Sequence, residues 1–238
     1  MRIAYFDCFS GISGDMTLGA FLNAGLSFEK LSAELAKLKI KGYRLKRSAV
    51  TRGGISGTRF ECLASDSAHS RSLRQILSII DKSSLPARVK NTATYIFENI
   101  GAAEAKVHGL KKNIDIRLHE LGSMDSIVDI VGTAIAIDEL GIDEVYASPV
   151  NTGRGVVDSA HGRLPVPAPA TIEILKGVPV SIAGSGYELV TPTGAGILKT
   201  VAKGFGDAPA MKAERIGYGA GSRDAGTVLP NMLRIVIG

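Results

Sequence analysis

Tryptophan is absent from this 238-residue chain, aromatic residues make up only 5% of it, and cysteine occurs twice. So few rings leave little to stack nucleobases on, and no nucleic-acid partner is expected. Cys8 and Cys62 stand far apart and form no C-x-x-C pair. This excludes a disulfide scaffold and suits a reducing, cytoplasmic setting. No stretch approaches the ~18 consecutive apolar residues of a membrane helix. The N-terminal "MRIAYFDCFSG" carries Asp7 inside its apolar run and no A-x-A pattern follows, so neither a membrane partner nor a secretory leader is expected. A polybasic run is also missing. The net charge of +5 is scattered along the chain, which suits an anionic small molecule as well as any polymer. Neither G-x-G-x-x-G nor G-x-x-x-x-G-K-[ST] occurs, so the phosphate-binding mechanisms tied to those motifs do not transfer.

Glycine, in contrast, is abundant, with 28 residues, and 45% of the chain is hydrophobic. A chain of this length buries roughly 70–75% of its unfolded surface, so a large core needs no staples. The glycines point to backbone-lined loops. Ile3 to Cys8 reads as a buried strand. Asp15 then caps a helix with Leu18, Phe21 and Leu22 on one face, stopped at Gly25. A short helix carries Phe28, Leu31, Leu35 and Leu38, and two strands flank a turn at Gly53 and Gly54. Ser72 and Gln75 make a capping box, and Pro86 opens a helix with Val89, Ala93, Ile96, Phe97 and Ile100 inward, ended by Gly109. "DSIVDIVGTAIAIDEL" is a nearly all-apolar helix for the centre of the fold. Helices over Pro169 to Lys176 and after "VTPTGA", and closing strands near Met211 to Tyr218 and Leu233 to Ile237, complete the pattern. It predicts an α/β fold with a mixed sheet flanked by helices. One unit over residues 1–238 is expected, with two packed lobes as the alternative.

Four stretches carry candidate chemistry. "SGISGD" follows a strand and opens a helix, where backbone N–H groups of Gly11, Ser13 and Gly14 can cradle an anion. A plain capped turn explains Asp15 but leaves Asp7 and Cys8 unexplained. "LHELGSMDSIVDI" gathers His119, Glu120, Asp125 and Asp129; the last two share a helix face and can converge on a cation. Acids favour a first helical turn, which accounts for Asp125, whereas Asp129 lies in a segment otherwise fit for burial and needs a partner. "NTGRGVVDSAHGRLPVPAP" holds Arg154, His161 and Arg163 on a proline-stiffened stretch, or else forms an edge hairpin with solvated charges. "TPTGAG" places Thr191, Thr193 and Gly194 at a helix start, as an anion cradle or a simple cap. "GYGAGSRD" is a further glycine-rich loop of low specificity. His69 and His108 are expected to be surface or capping residues, and Cys62 an ordinary buried thiol.

In this order "YFDCFSGISGDM", "HELGSMDSIVDIVG", "AHGRLPVPAPAT" and "ELVTPTGA" resemble the LarC family of nickel-insertion proteins over essentially the whole chain. The resemblance implies part of a CTP-dependent nickel chelatase, a lyase. Such an enzyme places nickel in pyridinium-3,5-bisthiocarboxylic acid mononucleotide to make the nickel-pincer cofactor of lactate racemase. The expected partners are then that anionic mononucleotide, a C-terminal family region or subunit, and proteins of the lactate racemase pathway. Nickel accepts thiolate, imidazole and carboxylate, so Cys8, His119 and His161 are candidate metal ligands. Asp7, Asp15, Glu120, Asp125 and Asp129 are candidate catalytic residues. Gly11, Ser13, Gly14, Arg154, Arg163, Thr191, Thr193 and Gly194 are candidates for binding the substrate phosphate, and one cleft is expected to gather the metal and carboxylate groups.

Three features depart from the family pattern. A histidine-rich run is reduced to His69, an H-x-H-E motif stands as Arg117 to Glu120, and the chain ends at "LRIVIG" where family members continue. The chain is therefore expected to be the N-terminal part, with CTP and its divalent cation bound by the C-terminal region and Leu233 to Ile237 as a docking edge. Two other readings compete: a magnesium-dependent phosphohydrolase built on the carboxylates, and a non-catalytic nickel carrier.

Overall fold

A computed structural model of the chain describes residues 1–64, 71–110, 116–118, 121–159, 161–184, 186–222 and 229–238. Strand β1 (Ile3–Asp7) leads into helix α1 (Gly14–Asn23) and helix α2 (Phe28–Ala36). Strands β2 (Tyr43–Arg52) and β3 (Ile55–Ala64) form a hairpin whose tip, Gly53 and Gly54, has φ of +54° and +78°. Both values are open to glycine without strain, and they match the twist of the flanking strands. Helices α3 (Leu73–Lys82), α4 (Ala87–Val107) and α5 (Met124–Glu139) follow. Next come β4 (Glu144–Ala147), β5 (Val150–Asn151), β6 (Gly155–Ser159), β7 (Gly162–Val166), α6 (Pro169–Ile174) and β8 (Val180–Ser181). The chain closes through α7 (Pro192–Val201), β9 (Ala202–Phe205), β10 (Arg215–Ala220) and β11 (Met232–Ile237). The fold is α/β, as the sequence pattern predicts.

Seven strands form one mixed sheet in the order β2-β3-β10-β11-β1-β4-β9, while β5 with β8 and β6 with β7 make two small ribbons. Strand β1 pairs antiparallel with β11 and parallel with β4. Helices α1, α5 and α7 pack on the sheet and on one another, so they share one face, and α4 lies over α5 and α7. Strand alternation follows from this layering. Along β1, Ala4 and Phe6 are buried on the helix side, where the Phe6 and Phe21 rings meet edge to face at 5.8 Å, whereas Tyr5 and Asp7 are half-buried on the other face. The same alternation leaves Arg234 and Val236 of β11 on that open face.

Local signals account for most boundaries. Ser72 and Gln75 form the reciprocal capping box at the start of α3, and Gly109 (φ +66°) follows the end of α4. The cap of α1 is a correction: Ser13, in extended conformation, accepts from Met16 N–H, and Asp15 sits in the first turn. Met16 N–H is shared, donating to Ser13 Oγ at 3.4 Å and to Asp15 Oδ1 at 2.9 Å, with the serine in the extended N-cap position. Strand β11 is a second correction. It is paired on both sides, by β10 and β1, and so offers no docking edge; β2 and β9 are the edges among the described residues. Strand β9, four residues directly after α7, is absent from the sequence reading. Among the described residues, no helix is long and apolar enough to cross a membrane.

Candidate functional site

Two helix starts stand side by side. Ile12 and Val190 form a parallel bridge, Ile12 N–H donates to Leu189 C=O at 2.9 Å, and Thr191 N–H donates to Ile12 C=O at 3.2 Å. The segments leading into α1 and α7 therefore run in parallel, and both helices present their N-termini to the same opening. This close approach requires glycine. A Cβ on Gly11 would lie 2.0 Å from Leu189 O, and one on Gly194 would lie 2.2 Å from Ile12 O. Ser13 Oγ accepts from Met16 N–H at 3.4 Å, and Thr191 Oγ1 accepts from Gly194 N–H at 3.2 Å and bonds the Thr193 hydroxyl at 2.8 Å. The structure thus brings "SGISGD" and "TPTGAG" together as neighbouring walls of a cleft of about 100 Å3. Glu188, Gly221, Ser222 and Asn231 also line it, so "GYGAGSRD" contributes as well.

Carboxylates gather beside these helix starts. The Asp129 side chain packs against Gly14, where an added Cβ would lie 2.4 Å from Asp129 Cβ. Burial raises the Asp129 carboxyl well above the usual range, and the negative charges of Asp15 and Asp125 push the same way. The Asp15 carboxyl, which takes hydrogen bonds from Ser13 Oγ and Met16 N–H, is also raised by burial, against the pull of those bonds and of the Arg59 guanidinium. Asp125, exposed in the first turn of α5, accepts from Ser123 Oγ. The Cys62 thiol on β3 senses the same charges: burial first, then Asp129 and Asp125, push it up to about 12. Backbone dipoles that favour anions and carboxylates that favour cations thus meet at one place.

A second cavity, of about 270 Å3, adjoins the cleft: Glu188 lines both, and Pro192 follows Thr191 into its wall. Its lining is largely apolar, including Val107, Val157, Leu164 and Pro169. His161, in the turn between β6 and β7, reaches it from one side and His108, at the C-cap of α4, from the other. The two imidazole centres are 5.0 Å apart, and His108 Nε2 lies 3.4 Å from Glu104 Oε2. Sequence reasoning placed His108 on the surface as a cap. It does cap α4, and it also faces His161. The available signal was Glu104 and His108 at i and i+4 near a helix end. Glu188 and Asn231 left no such trace.

Other candidates lie elsewhere. Asp7 is on the open face of the sheet, ion-paired with Arg234, away from the helix side that holds Cys8. Cys8 is 1% exposed in the core, with its thiol donating to Phe6 C=O at 3.7 Å, and burial raises its pKa strongly. Arg154 and Arg163 are exposed around the β6–β7 hairpin, where Arg163 pairs with Asp158 at 3.7 Å. The single cleft expected for the metal and carboxylate groups is therefore divided: Asp15, Asp125 and Asp129 cluster, His161 lines the adjoining cavity, and Asp7 and Cys8 stand apart. His119, Glu120 and His69 lie outside the described residues. Among the described residues, no three His, Cys, Asp or Glu side chains are placed to hold a metal ion.

Fold and site together define an α/β protein with a cleft beside two paired helix starts and an adjoining histidine-bearing cavity. The family model described as nickel insertion protein matches residues 4–238, and the chain belongs to that family. A pyridinium-3,5-bisthiocarboxylic acid mononucleotide nickel insertion protein of Geobacillus kaustophilus is 48% identical, covering 100% of this chain and 60% of the relative. A protein of the same name from Desulfitobacterium hafniense is 48% identical over 58% of its length. A putative nickel insertion protein of Dictyoglomus thermophilum is 44% identical over 61%. The chain thus spans about 60% of the length of these curated relatives. No solved structure matches.

Proposed function

We propose that this chain is the part of a nickel-insertion enzyme that receives nickel and pyridinium-3,5-bisthiocarboxylic acid mononucleotide, with CTP acting through the further region found in its relatives. The observation that carries this reading is the adjacency of the two cavities, which share Glu188 in their walls. The substrate has the same two-part character. Its phosphate would suit the cleft beside the starts of α1 and α7, lined by Ser13, Met16 and Thr191. Its aromatic ring suits the apolar walls next door, which puts the thiocarboxylates near His161. Arg154 and Arg163 would add charge from the neighbouring hairpin. Asp15 and Asp129, whose carboxyls burial raises, would hold protons beside the phosphate, which lessens the repulsion that charged carboxylates would exert on it.

Calorimetric titration of the chain with nickel and with the mononucleotide tests the reading. Both should bind, and Thr191→Val, in the lining of the cleft, should weaken the mononucleotide by roughly tenfold, the worth of a hydrogen bond to a charged group, while leaving nickel binding unchanged. The carboxylate cluster favours one competing reading, a magnesium-dependent phosphohydrolase. Turnover of a phosphoester panel with magnesium, together with no response to nickel, would replace the insertion reading with that one.

A further inference from the structure

We propose that His108 and His161, with Glu104 as the orienting carboxylate, form a nickel-loading site at the cavity, holding the ion by two imidazoles and leaving its other positions to the incoming substrate. This rests on the reading of the chain as a nickel-handling protein. It assigns the metal contact to a pair that includes a residue with no family motif around it.

Three observations converge. First, two chain segments distant in sequence, the end of α4 and the β6–β7 turn, bring their imidazoles to 5.0 Å between centres with the rings tilted by 55°. Imidazole nitrogens bind divalent metals at about 2.0–2.1 Å, and two rings on neighbouring positions of one ion then have centres roughly 5 Å apart. Second, Glu104 Oε2 sits 3.4 Å from His108 Nε2, one turn earlier on α4. A carboxylate beside one ring nitrogen orients the imidazole, the usual support of a metal-binding histidine. Third, the pair opens on the cavity next to the anion cleft, with Glu188 on the shared wall adding negative charge.

A pair of imidazoles is too small a set to close a coordination sphere, which agrees with the lack of any three-ligand group among the described residues. For an ion that must leave, this is a suitable arrangement. Four protein ligands would retain nickel, whereas two hold it while open positions accept the substrate's sulfurs. Each Ni–N bond is then replaced by a bond to a deprotonated sulfur, with no change in the oxidation state of nickel in this step.

The test is nickel titration of the chain, combined with X-ray absorption to count imidazoles on the bound ion. Asn is tolerated at a helix C-cap and in a tight turn, so His108→Asn and His161→Asn should keep the fold, as a thermal melt would verify. Wild type should show two imidazoles. Each variant should lose one of them and at least tenfold in affinity, and Glu104→Gln should lose about tenfold in affinity with both imidazoles kept. Wild-type-like affinity and imidazole count in His108→Asn would overturn the proposal and leave the nickel-handling reading intact. A wild-type chain that binds no nickel would overturn both.

Discussion

Asp129 carries an acid into a helix face that is otherwise apolar, against the start of α1 and within reach of two other carboxylates. Its raised pKa has a definite consequence for stability. The unfolded chain releases this proton from about pH 4 upward, while the folded chain keeps it to higher pH. The folded state then binds more protons, so stability is fully present below that pH and declines as pH rises through the window. Asp129→Asn should therefore be more stable than wild type at pH 7 and flatter between pH 4 and 7 in urea denaturation; a variant that is less stable at pH 7 with an unchanged slope would mean that the carboxylate is charged and paired. Cys62 reports on the same cluster. With its thiol pushed up to about 12, the thiolate fraction at pH 8 is on the order of 10⁻⁴, and alkylation should run roughly a thousandfold slower than for a free thiol. Asp125→Asn should speed it, and equal rates in the two proteins would sever the proposed coupling. The sequence made Asp129 conspicuous, because an acid among Val128 and Ile130 demands an explanation. It could not show that Asp15 and Cys62 lie near enough to share its electrostatics, since that proximity joins α5 to α1 and β3.

Elements with strong local signals are legible for a physical reason. The box of Ser72 and Gln75 and the 3.6-residue period of α4 are satisfied within a few residues of chain, so the sequence determines them without tertiary help. Ser72→Ala should cost about 1 kcal/mol in thermal or chemical unfolding, the typical worth of an N-cap, and a negligible change would show that α3 is held by packing alone. Strand β9 is different: "AKGF" is too short for a period and becomes a strand only because β4 offers a parallel edge. The paired starts of α1 and α7 are of the same tertiary kind. Each motif reads as an isolated cap, and only the bridge between Ile12 and Val190 makes them one cleft. A methyl group on Gly194 would collide with Ile12 O, a backbone atom that cannot rotate away. Gly194→Ala should thus cost about 1–3 kcal/mol, in the range of an overpacked contact. It should also weaken mononucleotide binding, where Gly206→Ala, which meets no atom but is strained at φ +134°, should cost stability and leave binding unaltered.

At the scale of the molecule, the helices cover one face of the sheet and leave Tyr5, Asp7, Arg234 and Val236 half-exposed on the other, with Asp7 and Arg234 neutralising each other there. The class of fold was legible because alternating strand and helix periods admit few layered solutions. The place of β11 was not, since nothing in "LRIVIG" distinguishes a central strand from an edge. Because β11 is paired on both sides, no further region can add a strand to it. That bears on the division of labour in nickel insertion. The starts of α1 and α7 border a cleft of about 100 Å3 beside a cavity of about 270 Å3. The chain lacks the lysine-bearing glycine loop of a P-loop. The chain alone should accordingly bind nickel and the mononucleotide without cleaving CTP. Supplying the remaining region of a relative as a separate polypeptide should restore CTP-dependent insertion, measured as activation of apo lactate racemase with CTP consumption followed in parallel. Robust CTP cleavage by the chain by itself would instead locate the nucleotide at the starts of α1 and α7, and the substrate phosphate would then have to be held elsewhere, with the exposed guanidinium groups of Arg154 and Arg163 the next place to look.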